Sequence, residues 1–175
     1  MMIRVSLFLV LFFLFIVEGT VYQIFAPNAG EFDYQVIPRW MFMLILFAGI
    51  FRGRANGLFY AVIFGVIYDI VYSSTLGIYT FGMGVIVYLL SISIPFFKRN
   101  LSMTIIIVIV GVGLLEYYVY GMMILLGLTE MSNDEFLSVR FLPTLLMNLI
   151  VLAVVAYPLR IGFLYLEKRL GELND

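Results

Sequence analysis

The sequence has no cysteine and no histidine, and it is poor in charged residues. Without cysteine no disulfide can form, so thiols do not indicate a redox compartment. The same absences exclude a Cys/His metal site and a nucleophile activated by histidine. The sequence also has no glycine-rich phosphate loop with a Walker lysine and no basic patch for nucleic acid. We therefore expect a protein that is not an enzyme, needs no metal or cofactor and binds no nucleic acid.

The small fraction of charged residues indicates whether water or lipid surrounds this chain. Only 12% of its 175 residues are charged, whereas 64% are hydrophobic. A soluble domain of this length usually has about twice that charged fraction. Too few polar residues remain to cover a surface that faces water, so lipid must be the main solvent. The composition predicts one transmembrane domain over residues 1–175, with no extramembrane domain.

The apolar segments predict six transmembrane helices, at about 20 residues for each crossing. They cover approximately residues 4–25, 36–51, 57–72, 77–97, 101–128 and 140–166. The first run could also be a signal peptide, since Arg4 precedes it. It continues to Phe25, too long for a signal core, and no A-x-A cleavage site follows, so we interpret it as a retained helix. The fold class is an all-α integral membrane bundle.

The basic residues predict that both termini lie in the cytoplasm. With the N-terminus inside, eight of the ten lysines and arginines fall in inside segments: Arg4, Arg52, Arg54, Lys98, Arg99, Arg160, Lys168 and Arg169. The outside segments hold the other two, Arg39 and Arg140, together with the acidic residues Glu31, Asp33, Glu130, Asp134 and Glu135. Every successive loop agrees with this orientation.

Three acidic residues, Glu18, Asp69 and Glu116, interrupt apolar segments. Charge inside a membrane is costly, so each is a candidate for function. Counting at 1.5 Å per residue places all three roughly 20 Å from the inner boundary, in one layer near the outer side. Arg39 and Arg140 enter from that side, and we expect Asp69 or Glu116 to pair with one of them.

This intramembrane polar cluster has two open interpretations. It is either a brace of ion pairs or a site for a proton, an ion or a substrate. Asn148, in the sixth segment, is expected to form hydrogen bonds between helices and completes the cluster.

Small residues recur on the third and fourth segments. Gly57, Ala61 and Gly65 are spaced by four residues and lead to Asp69, and Gly77 and Gly84 are spaced by seven. Small residues let helix backbones approach closely in lipid. These residues therefore predict a packing face, either within the bundle or against a partner's transmembrane helix.

The stretch from residue 57 to 81, GLFYAVIFGVIYDIVYSSTLGIYTF, resembles the MreD family of bacterial rod shape-determining membrane proteins. The shared pattern is a glycine-rich third helix ending in G-x-x-x-D, a short polar turn, and then L-G opening a fourth helix. Asp69 and Gly77 contribute most to it. Pro38 opening the second helix, the chain length and the six spans are also similar to the family.

The resemblance implies a non-catalytic scaffold subunit of the cell-wall elongation complex in the bacterial cytoplasmic membrane. MreC is the expected direct partner, beside MreB, RodA and a class B transpeptidase of peptidoglycan synthesis. The six-helix architecture is also similar to the substrate-binding S-components of energy-coupling-factor transporters. The alternative function is therefore a substrate-binding subunit of such a transporter, with the polar cluster as its pocket.

Overall fold

The chain is almost entirely helical in a computed structural model that describes residues 2–24, 34–73, 75–91 and 100–171. Its long helices are α1 (Met2–Ile24), α2 (Trp40–Arg52), α3 (Arg54–Tyr72), α4 (Ile78–Leu90), α5 (Leu101–Leu125) and α6 (Leu142–Gly171). A short helical turn, Asn133–Glu135, and a π-helical turn, Phe136–Phe141, lead into α6. The expectation of an all-helical protein is confirmed.

Helix length separates two groups. In the described ranges, α1, α3, α5 and α6 are long and apolar enough to cross a membrane. α2 and α4 have 13 residues each, about 20 Å of helix against a hydrocarbon core of about 30 Å. Four helices thus meet the length requirement, and six crossings remain a prediction. Residues 25 and 92–97 of the predicted first and fourth spans lie outside the described residues, as do Glu31, Asp33, Lys98 and Arg99 of the charge pattern.

α2 is the central helix of the bundle. Every residue from Met41 to Phe51 is buried, and α2 contacts each of the five other long helices. A helix that is apolar all round is typical of a core position. Because its neighbours cover it, α2 need not reach both membrane surfaces by itself.

The second helix starts later than the sequence predicted. The expected segment began at residue 36, but residues 34–39 are not helical and α2 begins at Trp40. Pro38 disfavours helical geometry at Ile37 and has no N–H to donate. Val36 and Ile37 are apolar, so hydropathy alone did not distinguish this non-helical segment from helix.

Candidate functional site

The predicted polar residues meet at one end of the bundle, where α1, α3 and α5 approach their C-terminal ends and α2, α4 and α6 begin. Five of the six are buried, and the Arg140 side chain is 11% exposed. The structure joins them through four sets of contacts. These contacts involve Glu116 with Arg39 and Arg140, Asp69 with α4, Glu18 with α2, and Asn148 with the backbone of Ile37 and Arg39.

Glu116 bridges two arginines with its two carboxylate oxygens. Its Oε1 accepts from Arg39 Nε at 2.6 Å, and Arg39 Nη2 lies 2.5 Å from the same oxygen. Its Oε2 accepts from Arg140 Nε at 3.2 Å, with Arg140 Nη2 at 3.1 Å. The triad has a formal charge of +1. Glu116 thereby links α5 to the segments that precede α2 and α6.

Two tyrosines complete the surroundings of Arg39. Its guanidinium carbon lies 5.5 Å from the ring centre of Tyr68 and 5.2 Å from that of Tyr79, within the range of cation–π attraction. Arg39 Nη2 also donates to the Tyr79 hydroxyl at 3.4 Å. These tyrosines were not predicted as part of the cluster, because tyrosine is frequent in this chain and their spacing carried no signal.

Asp69 caps the N-terminus of α4. Its carboxylate accepts from the backbone N–H groups of Gly77 (2.9 Å), Tyr79 (2.8 Å) and Thr80 (3.0 Å) and from the Thr80 hydroxyl (2.6 Å). The first N–H groups of a helix have no partner within the helix, and a negative charge there is also favoured by the helix dipole. Asp69 therefore fixes the start of α4 to the end of α3 and forms these bonds in place of a pair with an arginine.

The two glycines around Asp69 make this cap possible. A Cβ at Gly65 would lie 2.6 Å from the Thr80 Cα, so only glycine allows α3 and α4 to approach this closely. Gly77 has a φ of 102°, a left-handed conformation that favours glycine. The G-x-x-x-D and L-G elements of the sequence thus form one α3–α4 junction.

Glu18 plays the same part for α2. Its Oε1 accepts from the backbone N–H of Met41 at 2.5 Å, in the first turn of that helix. α1 is thereby attached to the central helix through the helix N-terminus. The other oxygen, Oε2, is buried and has no hydrogen-bond partner among the residues that the structure describes.

Asn148 binds the non-helical segment before α2. Its amide accepts from the Arg39 N–H at 2.8 Å and donates to the Ile37 carbonyl at 2.9 Å. One turn earlier on α6, Thr144 Oγ1 accepts from the Ile37 N–H at 3.1 Å and donates to the Gln35 carbonyl at 3.3 Å. Non-helical backbone inside a membrane protein needs such partners because lipid offers none. Thr144 was missed from the sequence, although its four-residue spacing from Asn148 places both on one helix face.

A proline positions the π-helical turn that carries Arg140. In an α-helix the carbonyl of Val139 would accept from the N–H of residue 143, but Pro143 has none. That carbonyl instead accepts from the Gln35 N–H at 2.9 Å. The non-helical segment before α2 thus binds a carbonyl of the π-helical turn that the proline leaves without its usual donor.

The small residues divide into two groups. Gly57 lies against Gly49 of α2, where an added Cβ would be 2.6 Å from the Gly49 Cα. Ala61 is fully buried, so the Gly57, Ala61 and Gly65 face packs inside the bundle. Gly84 differs, since a Cβ there would meet only Leu58 Cδ1, at 3.7 Å. Gly84 lies in a groove between α3 and α4 that opens to the bundle surface.

The geometry of the buried acidic residues is better suited to holding helices together than to binding a metal. Among the residues that the structure describes, no three Asp or Glu side chains converge on one point. The three acids instead bind helix N-termini or arginines. The contacts that these acids make are charge-assisted hydrogen bonds.

Comparisons with known proteins agree with the resemblance of residues 57–81 to the MreD family. The family model described as rod shape-determining protein MreD matches residues 2–167. A similar curated protein, the rod shape-determining protein MreD of Bacillus subtilis (strain 168), is 33% identical over 140 residues, which are 80% of this chain and 81% of that protein. No solved structure matches the chain.

Proposed function

Because the chain belongs to the MreD family of rod shape-determining membrane proteins, we propose that it is a non-catalytic scaffold of the cell-wall elongation complex. In this role it positions MreC, and through MreC the wall-synthesis proteins RodA and a class B transpeptidase and the filament protein MreB. The observation that supports this proposal most is the family match over residues 2–167.

The use of the buried charges supports a structural role. Glu116, Asp69 and Glu18 each connect one helix to the beginning of another. Removing one partner of a buried charge contact typically costs about 3–5 kcal/mol, so such contacts maintain a defined arrangement of helices. A scaffold needs such a rigid bundle to hold its partners at fixed positions.

The proposed partner site is the α3–α4 groove, defined by Leu58, Val62, Thr80, Phe81, Gly84, Val85, Tyr88 and Leu89 with Gly77 at one end. It has a volume of about 470 Å³. Phe81, Tyr88 and Leu89 are more than half exposed. A partner's transmembrane helix can approach closely where Gly84 leaves space, as small residues allow in lipid. The predicted face at Gly57, Ala61 and Gly65 is filled by the chain's own helices, so Gly84 and Gly77 are the glycines left for a partner.

The proposed location is the bacterial cytoplasmic membrane, with six crossings and both termini in the cytoplasm. The four long apolar helices support a membrane protein, and the distribution of lysine and arginine supports this orientation. Neither the family match nor a solved structure supports the alternative of a transporter S-component, so we do not propose it.

The test is recovery of partners with the tagged full-length protein after mild detergent extraction from its native membrane. Wild-type protein should bring down MreC. Gly84→Leu should fold normally but lose most of the MreC, because the added side chain fills the groove. Gly121→Leu is the matched control, since Gly121 on α5 faces open space. Equal MreC recovery by both variants would exclude the groove, and absence of MreC from the wild-type sample would contradict the scaffold role.

A further inference from the structure

A cavity of about 140 Å³ lies beside the polar layer, at the end of the bundle where α1 and α3 end and α2 and α4 begin. Its lining includes Glu18, Arg39, Tyr68, Tyr72, Tyr79 and Tyr22. Tyr22 and Tyr72 are 38% and 41% exposed, so the lining continues from the buried layer to the surface. Three charged residues, Glu18, Arg39 and Arg140, also line it, whereas most other grooves among the described residues are lined mainly by apolar side chains.

Two of these charged residues, Glu18 and Arg39, each have one group used by the fold and one left without a partner. Glu18 Oε1 holds the Met41 N–H, and Arg39 Nε and Nη2 hold Glu116. Glu18 Oε2 and Arg39 Nη1 are buried and have no hydrogen-bond partner in the described ranges. Buried charged groups without partners are unfavourable. A molecule bound in the adjacent cavity would lie beside both residues.

We propose that this cavity binds a small zwitterionic group, with its oxyanion at Arg39 and its ammonium at Glu18. An anion alone would leave Glu18 without a donor, and a cation alone would leave Arg39 without an acceptor and approach a triad of net positive charge. The rings of Tyr22 and Tyr72 add faces that attract an ammonium group. The volume equals about five water molecules, which suits a small α-amino acid or the phosphoethanolamine head group of a lipid.

The test uses the purified full-length protein in nanodiscs and native mass spectrometry of the lipids that remain bound. Phosphatidylethanolamine should be retained in preference to phosphatidylcholine, whose ammonium has no N–H, and to phosphatidylglycerol, which has no ammonium. In nanodiscs without phosphatidylethanolamine, glycine or alanine should raise the thermal unfolding temperature if the source is a free amino acid. Preferential retention of phosphatidylethanolamine supports the site and identifies a lipid as the source of the zwitterion. Stabilisation by glycine or alanine supports the site and identifies a free amino acid as the source.

Glu18→Gln is the informative variant, because the amide oxygen still accepts from the Met41 N–H while the other atom becomes a donor. It should unfold near the wild-type temperature and weaken zwitterion binding by about tenfold or more. Glu130→Gln is the control, since Glu130 is an exposed carboxylate outside the cavity. Equal retention of the three lipids together with no effect of amino acids overturns the proposal, and so does binding that Glu18→Gln leaves unchanged. This inference is independent of the scaffold function, since zwitterion binding is measured without any partner protein.

Discussion

Four hydrogen bonds converge on the carboxylate of Asp69, and all of them come from the first residues of α4 or the glycine before it. Glu116 instead divides its two oxygens between two guanidiniums. The first arrangement stabilises a helix end, whereas the second neutralises part of a buried positive charge. The two acids should therefore respond differently to substitution.

Asp69→Asn should lower the free energy of unfolding by about 2 kcal/mol, because an amide has a single acceptor oxygen and no charge for the α4 N-terminus. Reversible unfolding in detergent micelles would measure the loss. Asp134→Asn, at an exposed position, is the control and should stay within about 0.5 kcal/mol of wild type. An equally small effect of Asp69→Asn would show that the cap does not hold the α3–α4 junction.

Glu116→Leu should destabilise the protein by about 3–5 kcal/mol, because two arginines lose their partner in the interior. Adding Arg39→Met should recover part of this loss, since it removes the more deeply buried of the two unpaired charges and leaves only Arg140, which is 11% exposed, without Glu116. A double-mutant cycle on unfolding free energies gives the coupling between the two residues. Strictly additive effects would contradict a direct ion pair.

The sequence allowed the depth and the charge of these residues to be predicted, but not their choice of partner. Depth follows from counting residues along helices of known rise. The partners of Asp69 and Glu18 are mostly backbone N–H groups, which every residue except proline offers, so no side-chain pattern indicates them. Only the pairing of Glu116 with arginines had a counterpart in the sequence, namely opposite charges at similar depth.

At the scale of helices, the same connection occurs three times. An acid on α1 reaches the first turn of α2, an acid on α3 reaches the start of α4, and an acid on α5 reaches the turn before α6. Each odd-numbered helix is thus attached to the beginning of the next one. No repeat is visible in the sequence, because three different spacings separate the acids from the helix starts that they contact.

Helix boundaries were predictable where charge or turn-forming residues mark them, as at Arg52 and Gly53 between α2 and α3. The start of α2 was not, because Val36 and Ile37 continue its apolar pattern. What keeps them out of the helix is Pro38 together with hydrogen bonds between the Ile37 backbone and the side chains of Thr144 and Asn148, more than a hundred residues later in the chain. A long-range contact of this kind cannot be derived from local pattern.

Gly65→Ala and Gly84→Ala provide a matched test of helix packing. The Cβ at position 65 would lie 2.6 Å from the backbone of Thr80, whereas at position 84 the nearest atom is at 3.7 Å. Gly65→Ala should therefore lower the free energy of unfolding by about 1–3 kcal/mol, and Gly84→Ala should change it by no more than about 0.5 kcal/mol. Equal losses in thermal or chemical unfolding would mean that α3 and α4 are not in such close contact.

At the scale of the whole molecule, the orientation in the membrane can be tested by labelling single introduced cysteines. The chain has no cysteine of its own that would react with the label. With both termini in the cytoplasm, Glu130→Cys should react with a membrane-impermeant maleimide in intact cells or spheroplasts. Ala55→Cys, exposed at the opposite end of the bundle, should react only after permeabilisation. The reverse pattern would overturn the inside position of the α2–α3 junction and with it the cytoplasmic position of both termini.

The scaffold proposal depends most directly on where a partner helix meets this bundle. The measurement is site-specific photo-crosslinking in living cells, with a photoreactive amino acid at Phe81 or Tyr88 in the α3–α4 groove and at Val154 on α6 as the control. All three side chains are more than half exposed, so each can react with whatever protein or lipid covers it. The proposal predicts adducts with MreC from positions 81 and 88 and none from position 154. Adducts from position 154 alone, or no MreC adduct from the groove, would contradict it.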